Sequence, residues 1–145
     1  MFRKIAALVI GVVTFTLSFQ TVAVESQQQR KLYLDAEKKL WQPKSSQYRQ
    51  LYNQLHYYPL QPYLDQQELM HTMSLSKATE ISTFLEKYRG TPLDWPLRKK
   101  WLNYLSTKKR KALFLTHYIP TSSAELTCQF YEYQLDAGLS PDKVL

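Results

Sequence analysis

The sequence predicts an all-α fold of stacked antiparallel helix hairpins. Apolar residues recur at helical spacing through nearly the whole chain after residue 25, and no stretch alternates long enough to predict a strand. Proline, glycine and capping residues separate the helical segments. Short connections between antiparallel helices produce stacked hairpins, so we expect about six or seven helices joined by turns.

Residues 1–23 have the layout of a secretory signal peptide. Two basic residues precede an apolar run from Ile5 to Phe19, and a small-x-small site ends at Ala23. The run is shorter than the ~20 apolar residues that a spanning helix needs, which disfavours the alternative of an uncleaved membrane anchor. We expect cleavage after Ala23 and a mature domain of residues 24–145, with membrane contact only through an uncleaved signal peptide.

The net charge and the single cysteine describe the mature chain further. Cleavage lowers the formal charge from +7 to +5, because the signal peptide carries two basic residues and no acidic one. Export would place the chain where disulfides can form, yet Cys128 is the sole cysteine. Cys128 is therefore either a buried thiol or half of a disulfide whose partner lies outside these 145 residues.

The stretch HYYPLQPYLDQQEL, residues 56–69, could be an aromatic binding platform or a joint between helices. Pro59 disfavours helical geometry at Tyr58, so the preceding helix should end near Tyr57, and Pro62 suits the first turn of the next helix. No glycine is present to expose the rings. We expect a helix corner with tyrosines packed around it rather than a carbohydrate platform.

Capping residues predict the other helix ends. Ser122-x-x-Glu125 matches a capping box at the start of the last long helix, and Asp94 occupies a position suited to an N-cap. Gly90 and Gly138 suit left-handed residues that end helices. The basic segment Lys108–Lys111 should cross a short turn.

The last long helix carries two apolar stripes. One consists of Leu126, Phe130 and Tyr133, and the other of Cys128, Tyr131 and Leu135. A helix that is apolar on two sides is buried between neighbours. The second stripe therefore predicts either an oligomer or a further helix beyond this sequence.

Residues that could carry catalysis, a metal or a cofactor form no recognisable set. Glu68-x-x-His71 has the spacing of one half of a di-iron site, but such a site needs a second pair and further glutamates. The three glycines are Gly11, Gly90 and Gly138, too scattered for a phosphate-binding loop. We therefore predict no catalytic residue, no metal site and no cofactor.

A basic cluster lies near Trp95, Trp101 and Tyr104 in the sequence. It comprises Arg98, Lys99, Lys100, Lys108, Lys109, Arg110 and Lys111. Basic residues interleaved with aromatics can bind nucleic acid, but export and a charge of +5 argue against that partner. Either the cluster is a solvated face, or it attracts an anionic polymer such as peptidoglycan with its peptide carboxylates.

Three segments together resemble the large soluble lytic murein transglycosylases of Gram-negative bacteria. They are YPLQPYLDQQEL at 58–69, LRKKWLNYLSTKKR at 97–110 and AELTCQFYEYQL at 124–135, and their order and spacing match over the mature chain. The resemblance implies a periplasmic protein of peptidoglycan metabolism. Its N-terminal part would be an α-superhelix, followed by a lysozyme-like domain that cleaves the MurNAc–GlcNAc β-1,4 bond to 1,6-anhydro products.

The resemblance transfers no catalytic residue to this chain. The family's catalytic glutamate sits in a Glu-Ser motif that is followed by a Gly-Leu-Met-Gln segment, and no such combination occurs here. The resemblance implies a non-catalytic scaffold fragment, inactive alone, in which Cys128 is half of a disulfide with a cysteine on a following helix. The alternative is a free-standing periplasmic helical protein that binds cell-wall glycan or a partner enzyme through its basic face.

Overall fold

The computed structural model of the chain describes residues 27–140, so the predicted signal peptide and its cleavage site lie outside the described residues. Within that range the backbone forms α-helices, turns and a short 3-10 helix, with no strand, which confirms the all-α prediction. The chain divides into two compact units whose boundary falls between Leu64 and Asp65.

The described residues form seven α-helices and one 3-10 turn. They are α1 (27–38), α2 (Ser46–Gln54), α3 (Gln61–His71), the 3-10 turn (Leu75–Lys77), α4 (Ala78–Lys87), α5 (Asp94–Thr107), α6 (Lys111–His117) and α7 (Ala124–Asp136). The boundary between the two units lies inside α3.

The first unit is built on α1, α2 and the beginning of α3. Its core consists of Ala36, Leu40, Tyr48, Leu55 and Leu64, all buried. Tyr48 and Leu55 are seven residues apart, on α2 and at its C-cap, a spacing at which helical residues share a face.

The corner between α2 and α3 differs in detail from the prediction. The helix α2 ends at Gln54, before the predicted stop near Tyr57, because the chain already turns where the Tyr58 N–H donates to the Leu55 carbonyl at 2.8 Å. Tyr57 takes a left-handed conformation, with φ of 69°, and 89% of it is exposed. The prediction that the tyrosines pack around the corner is therefore wrong for Tyr57. Pro62 is the second residue of α3, as predicted.

The second unit is organised around α5, which contacts α4, α6 and α7. Its buried core is made of Leu69, Ile81, Phe84, Leu85, Leu93, Leu97, Trp101, Leu102, Leu105, Phe114, Leu126 and Tyr133. On α5, Leu97, Trp101 and Leu105 recur every four residues and are fully buried, as expected for the apolar face of a helix.

Two of the predicted caps are wrong by one residue, whereas the left-handed helix ends are confirmed. The N-cap of α7 is Ser123 rather than Ser122, because α7 begins at Ala124 and the Ser123 hydroxyl accepts the Leu126 N–H. Asp94 lies inside the first turn of α5 and is not its N-cap. Gly90 and Gly138 have φ of 73° and 90°, which suits residues without a Cβ.

Candidate functional site

Arg98, which the sequence grouped with the basic cluster, is buried inside the second unit. Only 3% of it is exposed, and its Nε donates to Oδ1 of Asp94 at 2.7 Å. Its Nη1 donates to the carbonyl of His117 at 2.8 Å, and its Nη2 to that of Leu85 at 3.4 Å. The guanidinium thus links α5 to the C-terminal turns of α4 and α6. Because Arg98 is buried, the prediction that it belongs to a glycan-facing patch is wrong.

Asp94 completes this arrangement because its carboxylate has two partners. Oδ1 accepts from Arg98, and Oδ2 accepts the N–H of Gly90 at 3.0 Å. A buried charge is tolerated when it is paired and hydrogen-bonded, and both charges here meet that condition. The Asp94–Arg98 pair is therefore part of the packing of the second unit and is not accessible to a ligand.

The remaining cations of the cluster form what we call the basic surface. It consists of Lys99, Lys100, Lys108, Lys109 and Arg110, all exposed. Lys100 lies on α5 and Lys108 is its C-cap, so the helix separates them by about 12 Å at 1.5 Å per residue. Within residues 27–140, none of the five forms an ion pair with a carboxylate.

Lys111 is set apart from the basic surface by its own partner. Its ammonium group pairs with the carboxylate of Asp136 at the end of α7. The hydrogen bond to Asp136 raises the pKa of Lys111 above its ordinary value. Lys111 therefore links α6 to α7, and its charge is partly neutralised.

The aromatic residues near the basic surface do not form a stacking platform beside it. Trp101 is fully buried, Trp95 is half-buried, and the Trp101 ring stacks on Tyr104 with centroids 5.5 Å apart. Lys108 lies over the Tyr104 ring at 5.9 Å. The basic surface can attract an anionic polymer by charge, but these rings are not presented for stacking on bases or sugars.

The second apolar stripe of α7 is on the surface. Tyr131 and Leu135 are 37% and 45% exposed, and Cys128 is an exposed free thiol. The opposite side of α7 is packed, because Leu126 and Tyr133 are buried in the core. We call Cys128, Tyr131 and Leu135 the outer face of α7. Since Cys128 is exposed, the alternative of a buried thiol is wrong, and its disulfide stays a prediction.

A serine–histidine pair that the sequence analysis missed joins α4 to α6. The Ser82 hydroxyl lies 2.7 Å from Nε2 of His117 and 2.8 Å from the Ala78 carbonyl, while Nδ1 of His117 donates to the Leu113 carbonyl at 2.8 Å. The imidazole is buried against the edge of Trp101. Because the hydroxyl is engaged with its own helix and the ring is enclosed, the pair holds two helices together rather than forming a nucleophile.

The two glutamates of α4 are exposed, and the described residues form no cluster of metal ligands. Glu80 and Glu86 form exposed ion pairs with Lys77 and Arg89, at 3.3 and 2.9 Å. In the part of the chain from 27 to 140, no three His, Cys, Asp or Glu side chains are placed to share a metal ion. His71, of the Glu68-x-x-His71 motif, is exposed at the end of α3.

We compared the chain with known protein families, curated proteins and solved structures. No family model, curated protein or solved structure matches this chain. Among residues 27–140, no helix combines the length and the apolar character needed to cross a membrane.

Proposed function

We propose that this chain is a scaffold segment of the α-superhelix of a periplasmic lytic transglycosylase, built from stacked helix hairpins and without a catalytic residue of its own. The observation that carries the proposal is the outer face of α7. This face is apolar and exposed on a helix whose other side places Leu126 and Tyr133 in the core. It lies in the segment AELTCQFYEYQL, one of the three that resemble that family.

A helix with one packed and one bare apolar face is typical of a helical array. In such arrays each repeat buries its faces only against its neighbours, so a helix without its neighbour exposes apolar side chains. Burial of a large apolar side chain contributes about 1.5–3 kcal/mol. We propose that a following helix packs on Tyr131 and Leu135 and supplies a cysteine that pairs with Cys128.

The placement of the glutamates supports a non-catalytic role. Acid catalysis at a glycosidic bond uses a carboxyl group held at the scissile oxygen in a site that raises its pKa. Glu80 and Glu86 are instead exposed and paired with lysine and arginine, and Glu132 accepts a hydrogen bond from the Gln129 amide at the surface. None of the three has the desolvated surroundings that an acid catalyst needs.

The test of this role is an assay for lytic products. The purified mature chain, residues 24–145, is incubated with isolated peptidoglycan, and the soluble products are analysed by mass spectrometry for 1,6-anhydro muropeptides. We expect none, with a complete lytic transglycosylase as the positive control. Release of 1,6-anhydro products by this chain would overturn the proposal.

The second candidate is a free-standing periplasmic protein that binds cell-wall glycan or a partner enzyme. It is favoured by the basic surface, whose five cations form no ion pair with the carboxylates of residues 27–140. Such a surface would attract the peptide carboxylates of peptidoglycan weakly. Salt would screen the attraction, since the Debye length is about 10 Å at 0.1 M ionic strength.

Co-sedimentation with peptidoglycan distinguishes this candidate. We expect binding that weakens as salt rises and that is lost when Lys108 and Lys109 are both changed to Glu. The matched control changes Lys31 and Lys44 to Glu, which removes the same charge from exposed positions of the first unit. If both double variants lost binding equally, the binding would depend on net charge alone. The basic surface would then not be a binding site.

A further inference from the structure

A surface cleft of about 340 Å³ lies in the first unit, along α1, the turn that follows it and α2. Trp41 and Leu51 give it apolar walls. Its polar lining includes Asp35, Lys38, Lys39, Gln42 and Gln47. Most of the lining residues are polar, and the volume is within the usual range of small-molecule sites.

Trp41 is unusual among the tryptophans of this chain. It is 70% exposed, whereas Trp101 is fully buried and Trp95 is half-buried. A single exposed apolar residue needs no explanation by itself. Trp41 differs because its indole borders a cleft whose other groups can donate and accept hydrogen bonds.

The backbone that carries Trp41 is fixed by successive turns. The Gln42 N–H donates to the Lys39 carbonyl, and the Ser45 N–H donates to the Gln42 carbonyl, both at 2.9 Å. Pro43 is buried between these two turns, and the Ser45 hydroxyl caps α2 by accepting the Tyr48 N–H. The backbone at Trp41 is therefore already ordered before a ligand binds, which lowers the entropic cost of binding.

The polar groups at the cleft are aligned but remain available. Lys38 pairs with Asp35 at 3.2 Å, and the Lys39 ammonium donates to Oε1 of Gln47 at 2.9 Å. The second carboxylate oxygen of Asp35 can still accept a hydrogen bond, and the amide nitrogen of Gln47 can still donate. Exposed ion pairs contribute little to stability, so a ligand hydroxyl can enter between Lys38 and Asp35 at little cost.

We propose that this cleft binds a short saccharide. A pyranose ring has an apolar C–H face, which matches the electron-rich face of the exposed Trp41 indole. Its hydroxyl groups both donate and accept, which matches a lining that contains a carboxylate, two ammonium groups and two amides. The proposal rests on the cleft alone and is independent of the proposed scaffold role.

The test is a titration of the mature chain with three soluble probes: the β-1,4-linked tetramer of N-acetylglucosamine, cellotetraose and maltotetraose. We expect a saturable blue shift of tryptophan fluorescence and a matching heat of binding with at least one of them. Calorimetry then compares variants, because removal of Trp41 also removes the fluorescent reporter. Trp41→Ala should weaken the binding at least about tenfold, or about 1.4 kcal/mol, and Trp41→Phe should restore part of it.

Matched controls separate the cleft from general exposure of aromatic residues. Tyr57→Ala removes an even more exposed ring that does not line the cleft, and it should leave the affinity unchanged. Gln47→Ala should weaken binding while the far-UV circular dichroism stays that of the wild type. The absence of saturable binding with all three probes, or binding that Trp41→Ala leaves intact, would overturn the proposal.

Discussion

The Nε atom of Arg98 lies 2.7 Å from Oδ1 of Asp94, and both side chains are almost completely buried. The two residues are one helical turn apart on α5, and each also bonds to backbone outside that helix: Arg98 to His117 and Leu85, and Asp94 to Gly90. This pair therefore fixes the positions of α4 and α6 against α5, which makes it a structural element of the second unit.

Replacement of Arg98 should strongly destabilise the fold. Arg98→Met leaves the Asp94 carboxylate buried without its cation and removes the donors for two buried carbonyl groups. Loss of one partner of a buried pair costs about 3–5 kcal/mol. Chemical denaturation followed by circular dichroism measures this as a lower free energy of unfolding.

Lys99→Met is the matched control for Arg98→Met. Lys99 is the next residue along α5 and is exposed, so its replacement should change the free energy of unfolding by no more than about 0.5 kcal/mol. If both variants lowered the free energy of unfolding by a similar small amount, Arg98 would not be the buried residue that links α5 to α4 and α6.

The N-cap of α7 gives a second pair of matched variants. Ser123→Ala should lower the free energy of unfolding by about 1 kcal/mol, because it removes the oxygen that accepts the Leu126 N–H. Ser122→Ala should have almost no effect, since Ser122 is exposed and outside the helix. A larger loss of unfolding free energy in Ser122→Ala than in Ser123→Ala would instead support the capping box predicted at Ser122.

The helical faces could be predicted from the sequence because burial follows a 3.6-residue period. Leu97, Trp101 and Leu105 are spaced so that one side of α5 must be apolar, and the structure buries all three. The same period contained the signal for Arg98, which lies four residues after Asp94 and among these apolar positions. Because Arg98 stands next to Lys99 and Lys100 in the sequence, it was assigned to the exposed basic cluster from its charge rather than from its position on the apolar face.

The contacts between helices could not be predicted in the same way. Ser82 and His117 are 35 residues apart, and their 2.7 Å contact depends on how α4 and α6 pack against α5. Local spacing carries no information on such packing. The cleft at Trp41 was missed for the same reason, because it requires side chains of both α1 and α2.

Stability should fall in alkaline solution, in part through Tyr33. Burial, and then the nearby charge of Glu37, raise the pKa of Tyr33 above 10.0. The unfolded chain therefore releases this proton at a lower pH than the folded chain, so stability is complete below about pH 10 and falls as pH rises through the folded pKa. The raised pKa of Lys111 acts in the same direction above its ordinary value of 10.5.

Thermal unfolding between pH 8 and 11 measures this effect, given the ordinary tyrosine pKa of about 10. Tyr33→Phe should reduce the alkaline fall in Tm, since it removes the group that ionises. Absorbance of phenolate should show that the tyrosine removed in Tyr33→Phe titrates later in the folded wild type than in the unfolded chain. A Tm that falls equally in Tyr33→Phe would contradict the assignment to Tyr33.

Gly90 should resist substitution for a reason that is purely conformational. Its φ is 73°, and an added Cβ would meet no atom within 4 Å. Gly90→Ala should therefore cost about 1–2 kcal/mol from the left-handed backbone alone. Gly90→Asn should cost less, because asparagine adopts this conformation more readily, and equal costs for the two variants would argue for another cause.

We propose that the outer face of α7 is a packing surface for another helix, and sedimentation velocity of the mature chain tests this directly. Under reducing conditions we predict self-association that rises with concentration, is lost in Leu135→Lys and persists in Leu60→Lys. Leu60 is a fair control because it is 41% exposed in the other unit, against 45% for Leu135. A wild-type chain that stays monomeric at every concentration would contradict the claim.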